Sequence, residues 1–191
     1  TVTQNDSFKA VSKYFDRITR PEQILASLPQ AVQIMLDQAD CGPATISVSQ
    51  DVQGEAYDYP EVFFDEQIHE IRRIHPDKNQ LHKAAEVLKS SKQPIIISGG
   101  GVLYSESEKE LSDFAKKHNI PVTATAMGIG CMHKDDPYYI GPIGCLGVGS
   151  SNSLSKDTDL ALAVGTKLGD FTTGSWTNFQ NPEFKLVSIN A

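Results

Sequence analysis

The chain is poor in the residues that would mark it as secreted, metal-binding or membrane-bound. It holds three cysteines in 191 residues, Cys41, Cys131 and Cys145, with no Cys-x-x-Cys pair. An odd count without that spacing speaks against a disulfide framework and against a zinc ribbon, and leaves a reduced, cytoplasmic protein as the expectation. The five histidines never fall at His-x-His or His-x-x-x-His spacing, so local sequence offers no metal site. Positive charge is scarce: 17 Lys and Arg against 24 Asp and Glu give a net charge of −7. That balance speaks against nucleic acid or an anionic membrane as partner. No apolar run approaches the roughly 20 residues of a membrane span, and the polar start shows no signal peptide. Thr1 in place of Met, and a strand-like run from Phe184 to Ala191 at the other end, lead us to expect a piece of a longer protein.

What the chain does have is a regular second half. Residues 1–20 show no strong period. Arg20-Pro21-Glu22 reads as a helix start. Ile24, Leu25, Leu28, Ala31, Val32, Met35 and Leu36 then recur at helical spacing, with Pro29 as a blemish. Ala44–Val48 reads as a strand. Residues 50–77 are charged, proline-bearing and aperiodic, which predicts a connector. A boundary near residue 65 divides the chain into 1–64 and 65–191. Beyond it the spacing predicts a helix over 79–90, capped by Asp77 or Asn79. A buried strand follows over 94–98, then a helix over 107–118 and a strand over 120–124. A long glycine-rich loop spans about 127–149, and strands follow over 160–164 and 184–189. Strands alternating with helices indicate an α/β fold, a parallel sheet flanked by helices. In such sheets ligands sit outside the carboxyl ends of the strands. That places Gly99–Gly101, Thr125–Gly130 and Gly165–Asp170 on one edge.

Pro94-Ile-Ile-Ile-Ser-Gly-Gly-Gly101 is the segment with the most specific shape. Three glycines after a buried strand let a backbone pass close to a phosphate, because no Cβ intrudes. The dinucleotide fingerprint is not met, since Tyr104 stands where its last glycine belongs and no acidic residue ends a second strand about 20 residues on. No Lys-Ser or Lys-Thr follows for a P-loop. A nucleotide cradle and a tight ligand-free turn both remain open from the loop alone. Cys131 has no His or Asn that sequence can pair with it and reads as an inert thiol. His133, among Lys134, Asp135 and Asp136, reads as a solvated surface residue. No Ser/His/Asp set, carboxylate pair or metal cluster declares itself.

Several segments, taken in order, resemble the thiamine diphosphate-dependent enzymes of the acetolactate synthase type. They are Gly42-Pro43-Ala44 through Gln50-Asp51-Val52, Pro94 to Gly101, Ile120 to Gly130, Asp136-Pro137 through Gly144, and Asp159 to Gly174. One such segment is weak; five in order are specific. Tyr14 to Gln23 and Gln50 to Asp58 look most like the inositol-catabolic branch, whose members open a trihydroxycyclohexanedione ring by hydrolysis. The resemblance implies that 1–64 is the end of the pyrimidine-binding domain with its linker, and 65–191 the central nucleotide-fold domain. It implies thiamine diphosphate and Mg in the full-length parent, held by residues outside this chain, so that the fragment alone is inactive. It also implies a small-molecule substrate and a homodimer or homotetramer. In some relatives the central crevice holds FAD or ADP, and Gly99, Gly100, Gly101, Thr125, Met127, Gly165, Thr166 and Asp170 match those positions. Lys167 and Phe171 stand where the FAD-binding members carry arginines, which speaks against FAD. The alternatives are an FAD-containing carboligase of the acetolactate synthase type and a standalone nucleotide-binding module.

Overall fold

The computed structural model describes residues 3–190. They divide into two compact units, Thr1–His75 and Pro76–Ala191.

The first unit is a small β-α-β arrangement. Helix α1 (Gln4–Lys9) opens with a capping box. The Thr3 hydroxyl accepts from Asp6 N at 3.2 Å, and the Asp6 carboxylate accepts from Thr3 N at 3.0 Å. Strand β1 (Tyr14–Ile18) pairs in parallel with β2 (Ala44–Val48), Tyr14 opposite Ala44 through Ile18 opposite Val48. The connection between them is a 3-10 turn, Pro21–Gln23, and helix α2 (Ile24–Leu36). Gln23 Oε1 accepts from Thr19 N at 2.7 Å and Arg20 N at 2.9 Å and fixes the entry to that helix. Pro29 sits inside α2 without ending it. The Ser27 hydroxyl of α2 donates to the Asp16 carboxylate of β1. Of the ten strand residues only Ile18 is buried. Residues 1–20, which show no strong period, nonetheless hold α1 and β1. Tyr-Phe-Asp-Arg-Ile is short and carries two charges at its centre, so neither strand period stands out.

Residues 65–77 contain no helix or strand and are exposed throughout. In the second unit, helix α3 (Lys78–Ser90) is capped by Asp77, whose carboxylate accepts from Asn79 N at 2.9 Å and Gln80 N at 3.1 Å. Then come β3 (Pro94–Ser98), α4 (Gly100–Tyr104), α5 (Glu108–His118), β4 (Val122–Ala124), β5 (Tyr139–Pro142), α6 (Gly149–Asp157), β6 (Leu160–Val164), α7 (Asp170–Thr173) and β7 (Lys185–Ile189). The five strands form one parallel sheet in the order β5-β4-β3-β6-β7. This is the expected α/β class.

The core explains why the isoleucine run is continuous. Ile96 packs with Leu111 and Ala115 of α5, Val122, Cys131 and Leu162 in one cluster. Ile95 and Ile97 pack with Ile143 and Ala161 in another. A central parallel strand covered on both faces has no solvent side, so every position wants an apolar residue. Each buried isoleucine contributes about 1.5–3 kcal/mol by leaving water. The loop expected over 127–149 is corrected in part, because β5 lies within it. Gly141 (φ 93°) and Pro142 disguise that strand, and its pairing with β4 is irregular. Proline is tolerated there because β5 is the sheet's edge.

From β3 the chain steps to β4 and β5 on one side, then returns to β6 and β7 on the other. The switch lies between β3 and β6, and the loops leaving those two strands are where such a fold places a ligand.

Candidate functional site

The backbone leaves β3 through Gly99, whose N–H donates to Val164 O at 2.9 Å as the last rung of the β3–β6 ladder. Two residues on, Gly101 N donates to Gly165 O at 2.9 Å. The loops after β3 and β6 are therefore bonded to each other directly above the switch point. A Cβ on Gly99 would land on Gly165 O and the Thr166 side chain, and one on Gly101 would come within 2.5 Å of Gly165 Cα. Gly165 itself has φ 60° and faces back onto Gly101. Gly99, Gly101 and Gly165 thus form a seam of backbone against backbone, and their missing side chains are accounted for by that contact.

The loop after β4 closes on the same place. Thr125 N donates to Ser98 O at 2.9 Å. A Cβ on Gly128 would strike Ser98 O and come within 3.0 Å of Gly99 Cα. Gly100 is freer: a Cβ there would meet Met127 O at 3.2 Å and the Tyr104 ring at 3.5 Å. Of the residues singled out from sequence, Gly99, Gly100, Gly101, Thr125, Met127, Gly165 and Thr166 meet at this edge. Asp170 lies further along the β6 loop, where its neighbours turn elsewhere. Phe171 O accepts from Cys145 N at 2.8 Å, and Gly144 has no room for a side chain against Phe171 O.

Sequence reading missed Gly128 as a packing residue and Asn152 altogether. Asn152 on α6 accepts from Gly144 N at 2.9 Å and donates to Gly144 O at 3.0 Å, so one amide holds the Gly144 turn by both its backbone groups. Its spacing from Gly144 matches no motif, and nothing local could have marked it.

Beneath the seam, Cys131 is fully buried, with Sγ 2.7 Å from Ser98 Oγ. Burial pushes its thiol pKa up, against a smaller opposing effect of the Ser98 bond. A thiol in that setting stays protonated and is a poor nucleophile. His133 is largely exposed beside Asp135.

The loops at this edge carry little charge. Residues 125–131 and 143–149 contain no charged side chain, and 165–178 contain only Lys167 and Asp170. Lys167 is the one cation on these loops, and Gly99, Gly101 and Gly165 are turned onto each other while Gly100 is not. Among the described residues no group of three or more His, Cys, Asp or Glu could hold a metal ion.

A surface cavity of about 410 Å³ lies at the opposite end of the sheet, lined by Ser91, Lys92, Gln93, Asp159 and Lys185 among others. Its organising group is Asp159, which accepts from the Ser91 hydroxyl, from Lys92 N at 2.7 Å and from Gln93 N at 3.0 Å. That carboxylate ties the turn before β3 to the start of β6. Burial pushes its pKa up, but these three donors outweigh burial and hold it below the ordinary value. The cavity lies away from the carboxyl ends of the strands, and its polar contacts are those of a structural tie.

Residues 81–191 match the family described as thiamine pyrophosphate enzyme, central domain. A 3D-(3,5/4)-trihydroxycyclohexane-1,2-dione hydrolase of Clostridium perfringens is 43% identical over 189 residues, 99% of this chain and 30% of the relative. A protein of the same name, numbered 1, from Bacillus cereus is 44% identical over 190 residues, 100% of this chain and 30% of the relative. The chain therefore spans about 30% of the length of the curated relatives it matches.

Proposed function

The chain belongs to the thiamine pyrophosphate enzymes, whose central domain it contains, and from that premise we propose that its full-length parent hydrolyses a C–C bond of 3D-(3,5/4)-trihydroxycyclohexane-1,2-dione in myo-inositol catabolism. The observation that carries this reading is the extent of the likeness. The family match covers 81–191 only, whereas the likeness to the two hydrolases runs through essentially every residue, including the unit that precedes the central domain.

In this reading 1–64 is the end of the pyrimidine-binding domain with its linker, and 65–191 is the central domain. Thiamine diphosphate, when bound, supplies the carbon nucleophile and the electron sink for breaking a C–C bond beside a carbonyl. The residues that hold it and Mg lie in the parent outside this chain. The role of the present residues is positional: a rigid five-stranded sheet with locked loops sets the spacing between the domains that bind the cofactor. Gly99, Gly101 and Gly165 serve this role by packing, while Gly100, Thr125, Met127 and Thr166 border the crevice in which a nucleotide would sit. The parent is a cytoplasmic homodimer or homotetramer.

The test is to purify the parent, strip it of cofactor, and restore thiamine diphosphate and Mg in the presence of the cyclic dione. The expected product is an open chain heavier by one water, formed only with both additions. Turnover that ignores thiamine diphosphate, or a cofactor-loaded parent that ignores the dione, would sink the proposal.

A further inference from the structure

The cavity at the amino ends of the strands holds more polar groups than its structural tie engages. Asp159 places two lysines beside it: Lys92 N donates to its carboxylate at 2.7 Å, and Lys185 N donates to its carbonyl at 2.9 Å. Pro94, Leu160 and Lys185 stand side by side across β3, β6 and β7, so Lys92, two residues before Pro94, shares that end of the sheet with Lys185. Glu183 is fixed on the same rim. Its N–H donates to Asn181 Oδ1 at 2.9 Å, and Asn181 Nδ2 donates to Asp157 O at 2.9 Å. Lys92, Gln93, Glu183 and Lys185 all line the cavity, and among the described residues their side chains make no ion pair or hydrogen bond. Hydrogen bonds set these four backbones in place and leave the four side chains without a partner.

The signs of these groups narrow what the cavity can take. Two ammonium groups favour an anion, while the Glu183 and Asp159 carboxylates oppose a second negative charge on it. Glu183 accepts hydrogen bonds and the Gln93 amide both donates and accepts, which suits hydroxyl groups. Val87 and Leu160 complete the lining with apolar surface for a carbon chain. The volume of about 410 Å³ lies within the roughly 300–1,000 Å³ of small-molecule sites. We propose that this cavity binds a hydroxylated monocarboxylate, its carboxylate on Lys92 and Lys185 and its hydroxyls on Glu183 and Gln93. The biological ligand rests on the reaction proposed above. Water added across the bond between the two carbonyls of a cyclic dione puts OH on one carbon and H on the other. The chain that opens carries a carboxylic acid at one end, an aldehyde at the other and the ring hydroxyls between them. That product belongs to the class the cavity selects, and the site gives the parent a means of sensing it.

Titration calorimetry of the full-length parent with gluconate, an open-chain hydroxylated monocarboxylate, at fixed ionic strength tests this. One saturable site per chain is expected. Acetate lacks the hydroxyls and sorbitol the carboxylate, so each should bind at least about ten-fold more weakly. Lys92→Gln together with Lys185→Gln should weaken gluconate at least about ten-fold with thermal unfolding unchanged, since both residues are exposed. Glu183→Gln should narrow the gap between gluconate and acetate. Absence of saturable binding overturns the proposal, as does acetate or sulfate binding as tightly as gluconate. Gluconate affinity unchanged in the double variant overturns it too, because the ligand then sits elsewhere. None of these readings needs turnover, so a parent that binds gluconate here yet ignores the dione defeats the functional reading alone.

Discussion

The two units build the same thing, parallel strands joined by helices, and reach different degrees of completion. In Pro76–Ala191 the central strands β3, β4 and β6 are buried at nearly every position. In Thr1–His75 the two strands are half-covered, and only Ile18 is closed off from water. Parallel sheets are stable when both faces are covered. The second unit meets that condition at its centre and loses it at β7, where Leu186 and Ile189 are exposed. The first meets it nowhere but at one residue. The difference teaches where this segment's stability resides: in the five-stranded sheet, with the first unit contributing little of its own.

The sharpest way to break that comparison is limited proteolysis of the chain. Cuts should collect within the exposed, element-free stretch 65–77 and leave the second unit whole. A first cut inside β3 to β6 would contradict it. Next in size is a matched pair of truncations read by urea unfolding. Ile96→Ala should cost about 2–5 kcal/mol as a fully buried core residue, and Ile46→Ala, on half-buried β2, about 1 kcal/mol. Equal losses would mean the two sheets are equally consolidated. A third pair concerns glycine. Gly99→Ala should cost about 1–3 kcal/mol by forcing the β3 and β6 loops apart. Gly54→Ala, where a Cβ would meet nothing within 4 Å, should stay within about 0.5 kcal/mol. The last test is the acid limb. Asp159 has its carboxyl pKa lowered in the folded protein, so the stability it confers is complete above the ordinary carboxylate value of about 3.9 and is lost as pH falls through the lower folded value. Asp159→Asn should cost about 1–3 kcal/mol at neutral pH and flatten the decline below about pH 4. An unchanged acid limb in the variant would remove Asp159 from the account.

Legibility followed the same divide. Ile95-Ile96-Ile97 and Leu160–Val164 could be read as buried strands because central parallel strands leave no position for a polar residue. The loops after them could be placed on one edge because parallel topology brings all carboxyl ends together. β1 stayed hidden because Asp16 and Arg17 occupy its middle, and β5 because Gly141 and Pro142 imitate a loop. The reason for the glycines was also out of reach. Gly101 needs its missing side chain because of Gly165, 64 positions away, and only pairing of β3 with β6 brings the two together. From sequence the same three residues fitted a ligand as well as they fitted a neighbour.

The placement of β3 has a consequence for how the chain comes into being. Within the second unit it is the first strand synthesised, yet it occupies the middle of the sheet. Its neighbour β4 begins at Val122 and its neighbour β6 only at Leu160. At about 5–20 residues per second, the three isoleucines leave the ribosome seconds before either flank is covered. During that interval the most apolar stretch of the unit is an open template for other chains, and it stays one until residues 122–164 follow it.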